Sequence, residues 1–265
     1  MINHSFAVMA YGDSPYLSAC LNSLKHQTVK SEIYISTSTP SSYLSEIASQ
    51  FSVPLYASDY GTGIAQDWNF ALGKAKTKYI TLAHQDDIYL AGYTENCLQQ
   101  SEKNKDTLIC FTGYSEIVKG EERRNTSLLN AKKFILSLFM PFQKTLSSKY
   151  FKKRLLSFGN PISAPGVMYN LELLKGFEFS KQFSINLDWY AWLQISKIDG
   201  RFVYIPDVLF HHRIHADSET TAGLKANSRQ KEDLELFKMF WPSWFANWLV
   251  KIYSRSYKSN ELTEP

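Results

Sequence analysis

The sequence predicts an α/β fold: a mostly parallel, Rossmann-like sheet covered by helices on both faces. Three observations predict it. Through residues 1–115, short apolar runs alternate with amphipathic runs of helix length. One of the apolar runs, Tyr79–Ala83, leads directly to the adjacent carboxylates Asp86 and Asp87. Carboxylates just beyond a strand end sit where open α/β sheets bind ligands. Hydrophobic residues make up 44% of the 265, enough for a substantial core.

The elements follow in order. Phe6–Ala10 is wholly apolar and reads as the first strand. Ser14-Pro15 opens a helix through Leu24, with Leu17, Cys20, Leu21 and Leu24 on one face. Glu32–Ser36 reads as strand, Ser42–Phe51 as helix and Val53–Ala57 as strand. Gly61 and Gly63 mark a turn before a helix over Ile64–Lys74. After the strand at Tyr79–Ala83, a further strand covers Leu108–Gly113. The alternation then breaks. Ala131–Phe142 (AKKFILSLFMPF) is basic, then apolar, and Pro141 stops it. Ser148–Phe158 (SKYFKKRLLSF) is basic and aromatic, and Gly159–Gly166 is a turn-rich loop with two prolines. Alternation resumes with a strand at Val167–Asn170, a helix near Ile185–Ile198 and a strand at Phe202–Ile205. From about Asn227 the chain reads as helical, with Trp241, Trp244, Phe245, Trp248, Leu249, Ile252 and Tyr253 at the spacing of a single helix face. The expected organisation is a main domain over 1–225, a basic amphipathic insertion at 118–158 and a helical tail over 226–265.

Composition narrows the class. Cys20, Cys97 and Cys110 are odd in number and lack metal spacing, so buried free thiols in a reducing compartment are expected. The opening residues read as a strand and not as a signal peptide. No apolar run reaches the roughly 18 residues of a spanning helix. A cytoplasmic protein is the expectation. Net charge is only +4, yet residues 119–154 alone carry ten Lys/Arg against two Glu. Such a segment points to a polyanionic partner, membrane surface or nucleic acid. Nucleic acid is set aside, because no helix-turn-helix, RNA-binding signature or zinc spacing is present.

Taken as residues alone, each candidate has a plain structural reading. Asp86 and Asp87 suit a hard divalent cation that also holds a diphosphate, and equally a solvated turn or helix cap. Asp188 precedes an apolar helical run and suits an N-cap. His211, His212 and His215 suit a surface turn.

Four segments together resemble the family-two glycosyltransferases of GT-A fold. The first is AVMAYGDSPYLSACLNSLKHQT, a strand, polar loop and helix ending near Gln-Thr. The second is GIAQDWNFALGKAKTKYITLAHQDD, a Gly-initiated helix followed by a strand into a carboxylate motif. The third is NLDWYAWL at Asn186–Leu193, similar to the Glu-Asp motif that supplies the base. The fourth is HHRIHADSETT at His211–Thr221, similar to an Arg-x-His-x-x-Ser segment. They occur in the family's order over roughly 1–225.

The resemblance implies an inverting transfer of a sugar from a nucleotide-sugar, by single displacement, with Mn²⁺ or Mg²⁺. It implies Asp87 as metal ligand with His215, Asp86 on the ribose or donor sugar, Arg213 on phosphate and Asp188 as base. It places the donor along Ala10, Tyr11, Asp13, Ser36, Thr37, Gly63, Asp67 and Asn69. Ser218, Thr220 and Thr221 would belong to a lid that orders on donor binding. The chain departs from the pattern in three places. The acid that reads the base after the second strand is replaced by Ser36–Thr39, the carboxylate motif begins with His84, and the Glu of the Glu-Asp motif is Leu187. UDP-sugar is the expected donor and a dTDP-sugar the alternative.

The expected acceptor is a lipid-linked surface polysaccharide. The insertion and tail stripe fit a helix lying in the inner membrane surface; core packing and a homodimer seam are the other readings of that stripe. Two rival classes stand beside the enzyme. A nucleotidyltransferase would want a Gly-rich basic loop after strand one, which AYGDSPYLS lacks. A non-catalytic membrane-bound partner of another transferase would not need Asp86, Asp87 and Asp188.

Overall fold

The computed structural model describes residues 2–59, 63–142, 144–215 and 228–254. Gly61, Ser218, Thr220 and Thr221 lie outside the described residues.

The first half is a run of βα units: β1 (His4–Ala10), α1 (Leu17–Lys25), β2 (Glu32–Thr37), α2 (Ser42–Gln50), β3 (Leu55–Ala57), α3 (Ile64–Lys74), β4 (Tyr79–His84), β5 (Ile88–Tyr89) and α4 (Tyr93–Lys103). Then come β6 (Thr107–Val118), β7 (Glu121–Arg123), α5 (Ser127–Phe139), β8 (Thr145–Leu146), α6 (Lys149–Leu155), β9 (Val167–Asn170), α7 (Leu187–Ile195) and β10 (Arg201–Ile214). Two tail helices follow, α8 (Ser228–Lys238) and α9 (Ser243–Tyr253). The strands form one sheet of order β3-β2-β1-β4-β9-β6-β10-β5, with β7 on β6 and β8 on β10. β3, β2, β1 and β4 run parallel, and β10 is parallel to β6, while β9 between them is antiparallel.

Side-chain alternation covers both faces of this sheet. In β1, Phe6, Val8 and Ala10 join the core under α1, α2 and α4, while Ala7 joins the opposite core with α3 and α7. The four apolar residues of α1 are the ones it buries. Cys20, Cys97 and Cys110 are free and buried.

Three elements depart from the sequence expectation. α5 begins at Ser127 because Thr126 accepts the Leu129 N–H at 3.2 Å and caps it. β10 does not stop at Ile205. Register shifts at Ile205/Val208 and Val208/Phe210 carry it past Pro206 to Ile214. The opposing residue is Gly113, where a Cβ would collide with the Pro206 carbonyl oxygen; such bulges bend a strand and re-aim its side chains. The tail is two helices, because Pro242 cannot sit inside one.

The tail's aromatic stripe is also split. Trp241, Phe245, Leu249 and Tyr253 pack on the main core beside Trp189 and Phe237, whereas Trp244 and Trp248 are 75% and 52% exposed. Among the described residues no helix is long and apolar enough to cross a membrane.

Candidate active site

The site lies at the carboxyl ends of β1, β2, β4 and β10. β4 ends at His84, and a tight turn (Asp87 N–H to the His84 carbonyl, 3.2 Å) delivers the two carboxylates. They meet different surroundings. Asp87 is buried, at 1% exposure. Its Oδ1 lies 2.9 Å from His212 Nδ1 and accepts the Arg213 N–H at 3.0 Å. Burial alone would raise its pKa, but the charge and hydrogen bond of His212 outweigh burial and hold it below the usual carboxylate range. The same pairing overcomes burial at His212 and raises its imidazole above the ordinary value.

Asp86 faces the other way. Its Oδ1 accepts from Ser14 at 2.7 Å and its Oδ2 lies 3.0 Å from His215 Nε2. Arg213 Nε donates to the Asp86 carbonyl at 3.0 Å, and its guanidinium stacks 4.4 Å over the Tyr16 ring. The bulged end of β10 thus brings His212, Arg213 and His215 onto the carboxylate turn. For His212 a surface turn was one reading of the sequence; its tie to Asp87 rests on the pairing of β10 with β6, which no local signal in HHRIH announces. His211 is turned away, onto Ser115 at 2.6 Å.

Next to this cluster, Gln85 clasps the Tyr11 backbone through both amide atoms, at 3.2 and 3.0 Å. Gly12, with φ of +62°, donates its N–H to Thr39 Oγ1 at 2.8 Å, and Thr37 Oγ1 accepts the Thr39 N–H at 3.0 Å. Asp13 accepts from Ser41, the N-cap of α2, at 2.7 Å. Gly63 starts α3 with φ of +149°. Ser38 donates to Asp67 Oδ2 at 3.0 Å. Asp67 Oδ1 and Ser36 Oγ are buried with no hydrogen-bond partner among the described residues. Burial, opposed by Ser38, raises the Asp67 pKa. Asn69 is the exception among the expected donor residues: it exchanges two hydrogen bonds with the Phe179 backbone, at 2.9 and 2.7 Å, and so holds a loop instead.

Asp188 stands in the first turn of α7, half-buried. It is not the helix cap: Asn186 holds that position, and Asp188 Oδ1 accepts only the adjacent Trp189 N–H, at 2.7 Å. Its Oδ2 accepts from Asn160 at 2.7 Å. Burial raises its pKa against these bonds and the charges of Arg229 and Lys132. A raised carboxylate is a stronger base near neutral pH. Lys132, bonded to Tyr114 at 2.9 Å, bears electrostatically on both Asp188 and His212 and so links the two halves of the site.

Asp233, wholly buried below α7, is pushed up to about 7 by burial. A carboxyl raised in the folded state contributes stability that is present below its unfolded pKa and lost as pH rises through the folded one. The thermal midpoint is therefore expected to fall between about pH 4 and 7, and Asp233→Asn to flatten that slope; an unaltered slope contradicts the assignment.

Among the described residues no three His, Cys, Asp or Glu side chains converge as a metal cage. The residues nevertheless fit a cation held partly by substrate phosphates, since Asp86 and His215 offer an oxygen and a nitrogen within 3.0 Å of each other.

A sheet of this order, with two carboxylates beyond β4 and a third on α7, defines a GT-A glycosyltransferase fold. The family model for Glycosyl transferase family 2 matches residues 5–163, more than half of the chain, and the chain belongs to that family. No curated protein matches the sequence. Among solved structures, S. aureus TarS 1–349 superposes with a TM-score of 0.63 at 13% identity, covering 94% of this chain and 69% of that one. The same protein with UDP-GlcNAc gives 0.64 at 13% identity, with 94% and 70% covered. The mannosyltransferase PcManGT of Pyrobaculum calidifontis, with GDP-Man and Mn²⁺, gives 0.65 at 12%, with 99% and 76% covered. At these identities the likeness establishes the fold.

Proposed function

We propose that the chain is a metal-dependent, inverting glycosyltransferase that moves a sugar from a nucleoside diphosphate sugar to a hydroxyl of a lipid-linked surface polysaccharide. The observation that carries this reading is the pairing of Asp86 Oδ2 with His215 Nε2, 3.0 Å apart at the ends of β4 and β10. Within it the metal-ligand role expected of Asp87 passes to Asp86. Asp86 and His215 would hold the Mn²⁺ or Mg²⁺, with Arg213 beside the diphosphate. Asp87 is enclosed: its Oδ1 is engaged by His212 and the Arg213 N–H, and its Oδ2 is buried without a hydrogen-bond partner among the described residues, so on this reading it supports the site from inside. A bound cation would neutralise the leaving diphosphate. Asp188 takes the proton of the acceptor hydroxyl as its oxygen attacks the anomeric carbon opposite the leaving group. The bond to the nucleoside diphosphate breaks and the configuration inverts.

The donor lies along Ala10, Tyr11, Asp13, Ser36, Thr37 and Gly63, and Asp67 supplies from α3 the acid that β2 lacks. Its unpartnered Oδ1 suits the imide N–H of uracil or thymine. UDP-sugar is the preferred donor and dTDP-sugar the second. Asp67→Ala is expected to weaken UDP binding by about 10- to 100-fold, the worth of one hydrogen bond to a charged group. Unchanged affinity in titration calorimetry contradicts this role.

A lipid-linked acceptor brings the enzyme to the inner membrane face. Support comes from one continuous aromatic surface. Ring contacts run Phe139–Phe158–Trp241–Phe245–Trp248 at 6.5, 5.4, 5.0 and 5.3 Å. Arg154 lies 4.9 Å over Trp241 and 5.3 Å over Tyr150. Phe134, Leu138, Phe142, Phe151 and Trp244 are exposed on the helices and loops of the same insertion and tail. Aromatics flanked by lysine and arginine suit an anionic headgroup layer. Neutralising Lys149 and Lys153 is expected to weaken flotation with phosphatidylserine vesicles by about 1 kcal/mol each. Equal flotation of both proteins, or of neither, contradicts the docking.

A further inference from the structure

Asp188 is held by two arms, and both arms end in the tail. The first arm is at the start of α7. The N–H groups of Ser184, Ile185 and Asn186 all donate to the one carboxylate of Glu232 on α8, at 2.9, 3.0 and 2.9 Å. A helix start leaves such donors without intrahelical partners, and a residue of the same segment ordinarily serves them. Here Asn186 makes no cap bond of its own. Its amide donates instead to buried Asp233 Oδ1, at 2.8 Å. Of the three donors only Asn186 is the helix cap residue, so Glu232, on a helix that begins at Ser228, pins the segment leading into α7, and Asp188 follows two residues after the last of these amides.

The second arm is the loop that carries Asn160, whose amide grips Asp188 Oδ2 at 2.7 Å. The Asn160 N–H donates to Tyr253 Oη on α9, at 3.4 Å. The preceding Gly159, with φ of +137°, lies so close to the Tyr253 ring that a Cβ there would strike it. Under the base, Trp189 packs edge-on against Phe237 of α8 at 5.0 Å and against Tyr253 of α9 at 5.9 Å.

We propose that the two tail helices are the positioning frame of Asp188. Glu232 and Tyr253 are positioning residues: the first sets the turn from which the carboxylate projects, and the second sets the loop whose amide orients it. Neither touches donor or acceptor. The frame rests on the reading of Asp188 as the base. A misplacement of the order of 1 Å at such a group costs up to about 100-fold in rate, so a tail far from the metal ligands governs turnover without governing donor affinity.

The test compares wild type with Glu232→Gln, Tyr253→Phe and Asp188→Asn. Glutamine keeps the size of Glu232 but turns an N–H₂ toward amides that need an acceptor. Tyrosine to phenylalanine keeps the packing and removes only the hydroxyl. Two readouts are taken. One is kcat and KM for release of UDP from UDP-sugars, with water as acceptor. The other is the titration of the Asp188 carboxyl by ¹³C NMR of aspartate-labelled protein, assigned with Asp188→Asn. The groups facing that carboxyl are Asn160, Lys132 of α5, Arg229 of α8 and the α7 amides. Glu232→Gln is expected to lower kcat by about 10- to 100-fold with donor KM within about twofold, and to displace the Asp188 titration. Tyr253→Phe is expected to act in the same direction, less strongly. A folded Glu232→Gln variant with wild-type kcat and an undisplaced Asp188 titration, whatever its melting temperature, overturns the proposal. Should Glu232→Gln not fold, Tyr253→Phe decides by the same readouts. Full kcat in Asp188→Asn defeats the base reading in its own arm; the NMR titration still decides the frame.

Discussion

Asp188→Asn is expected to lower sugar transfer by about 10²- to 10⁴-fold while leaving nucleotide affinity unchanged. Asparagine can still accept the Trp189 N–H and face Asn160, so the fold around α7 survives. It cannot take a proton. The residue lies outside the metal and nucleotide cluster at β1, β2, β4 and β10, so Kd for the donor has no cause to move. Burial holds the carboxyl above its ordinary pKa, which makes it a better base once ionised and places the loss of activity at acidic pH above the usual carboxylate range. A variant with near wild-type kcat, measured by release of nucleoside diphosphate, sinks the assignment.

The second large effect is on stability. Asp87→Ala is expected to cost about 3 kcal/mol, the low end for breaking a buried ion pair because His212 can shed its proton. In a chain of 265 residues that is a fall of roughly 10 °C in the thermal midpoint. The loss has two sources: the Arg213 N–H is left without its acceptor, and His212 without its counter-charge. Asp86→Ala, one residue earlier, is expected to lower the midpoint by clearly less, because its carboxylate is only half-buried and leaves no backbone N–H without an acceptor. Thermal denaturation of the two apo variants separates the internal support from the metal ligand. Equal midpoints contradict the assignment of the supporting role to Asp87.

The sheet was legible because its signals are local. Phe6–Ala10, Tyr79–Ala83 and Val167–Asn170 are apolar runs of strand length, and Ile64–Lys74 has the helical period and a glycine start. α4 escaped notice because it buries Tyr93, Thr94, Cys97 and Ser101, a stripe too polar to read as a core face. The full length of β10 escaped because Pro206-Asp207 looks like a strand end, and only Gly113 on another strand makes room for the bulge. The carboxylate pair was visible as chemistry, but the division of labour within it was not. Nothing in QDD says which aspartate faces inward; that depends on His212 and Arg213, 125 and 126 residues away. The dependence of Asp188 on Glu232 is equally invisible, since it joins residues 44 apart through backbone amides.

The central claim is that Asp86 anchors a metal-dependent nucleotide site. It is tested most directly by isothermal titration of UDP and dTDP, each with and without Mn²⁺, into wild type, Asp86→Ala and Asp188→Asn. Binding is expected to require Mn²⁺, to disappear in Asp86→Ala and to persist in Asp188→Asn. Absence of binding to the wild type, or equal metal-dependent binding to Asp86→Ala, contradicts it.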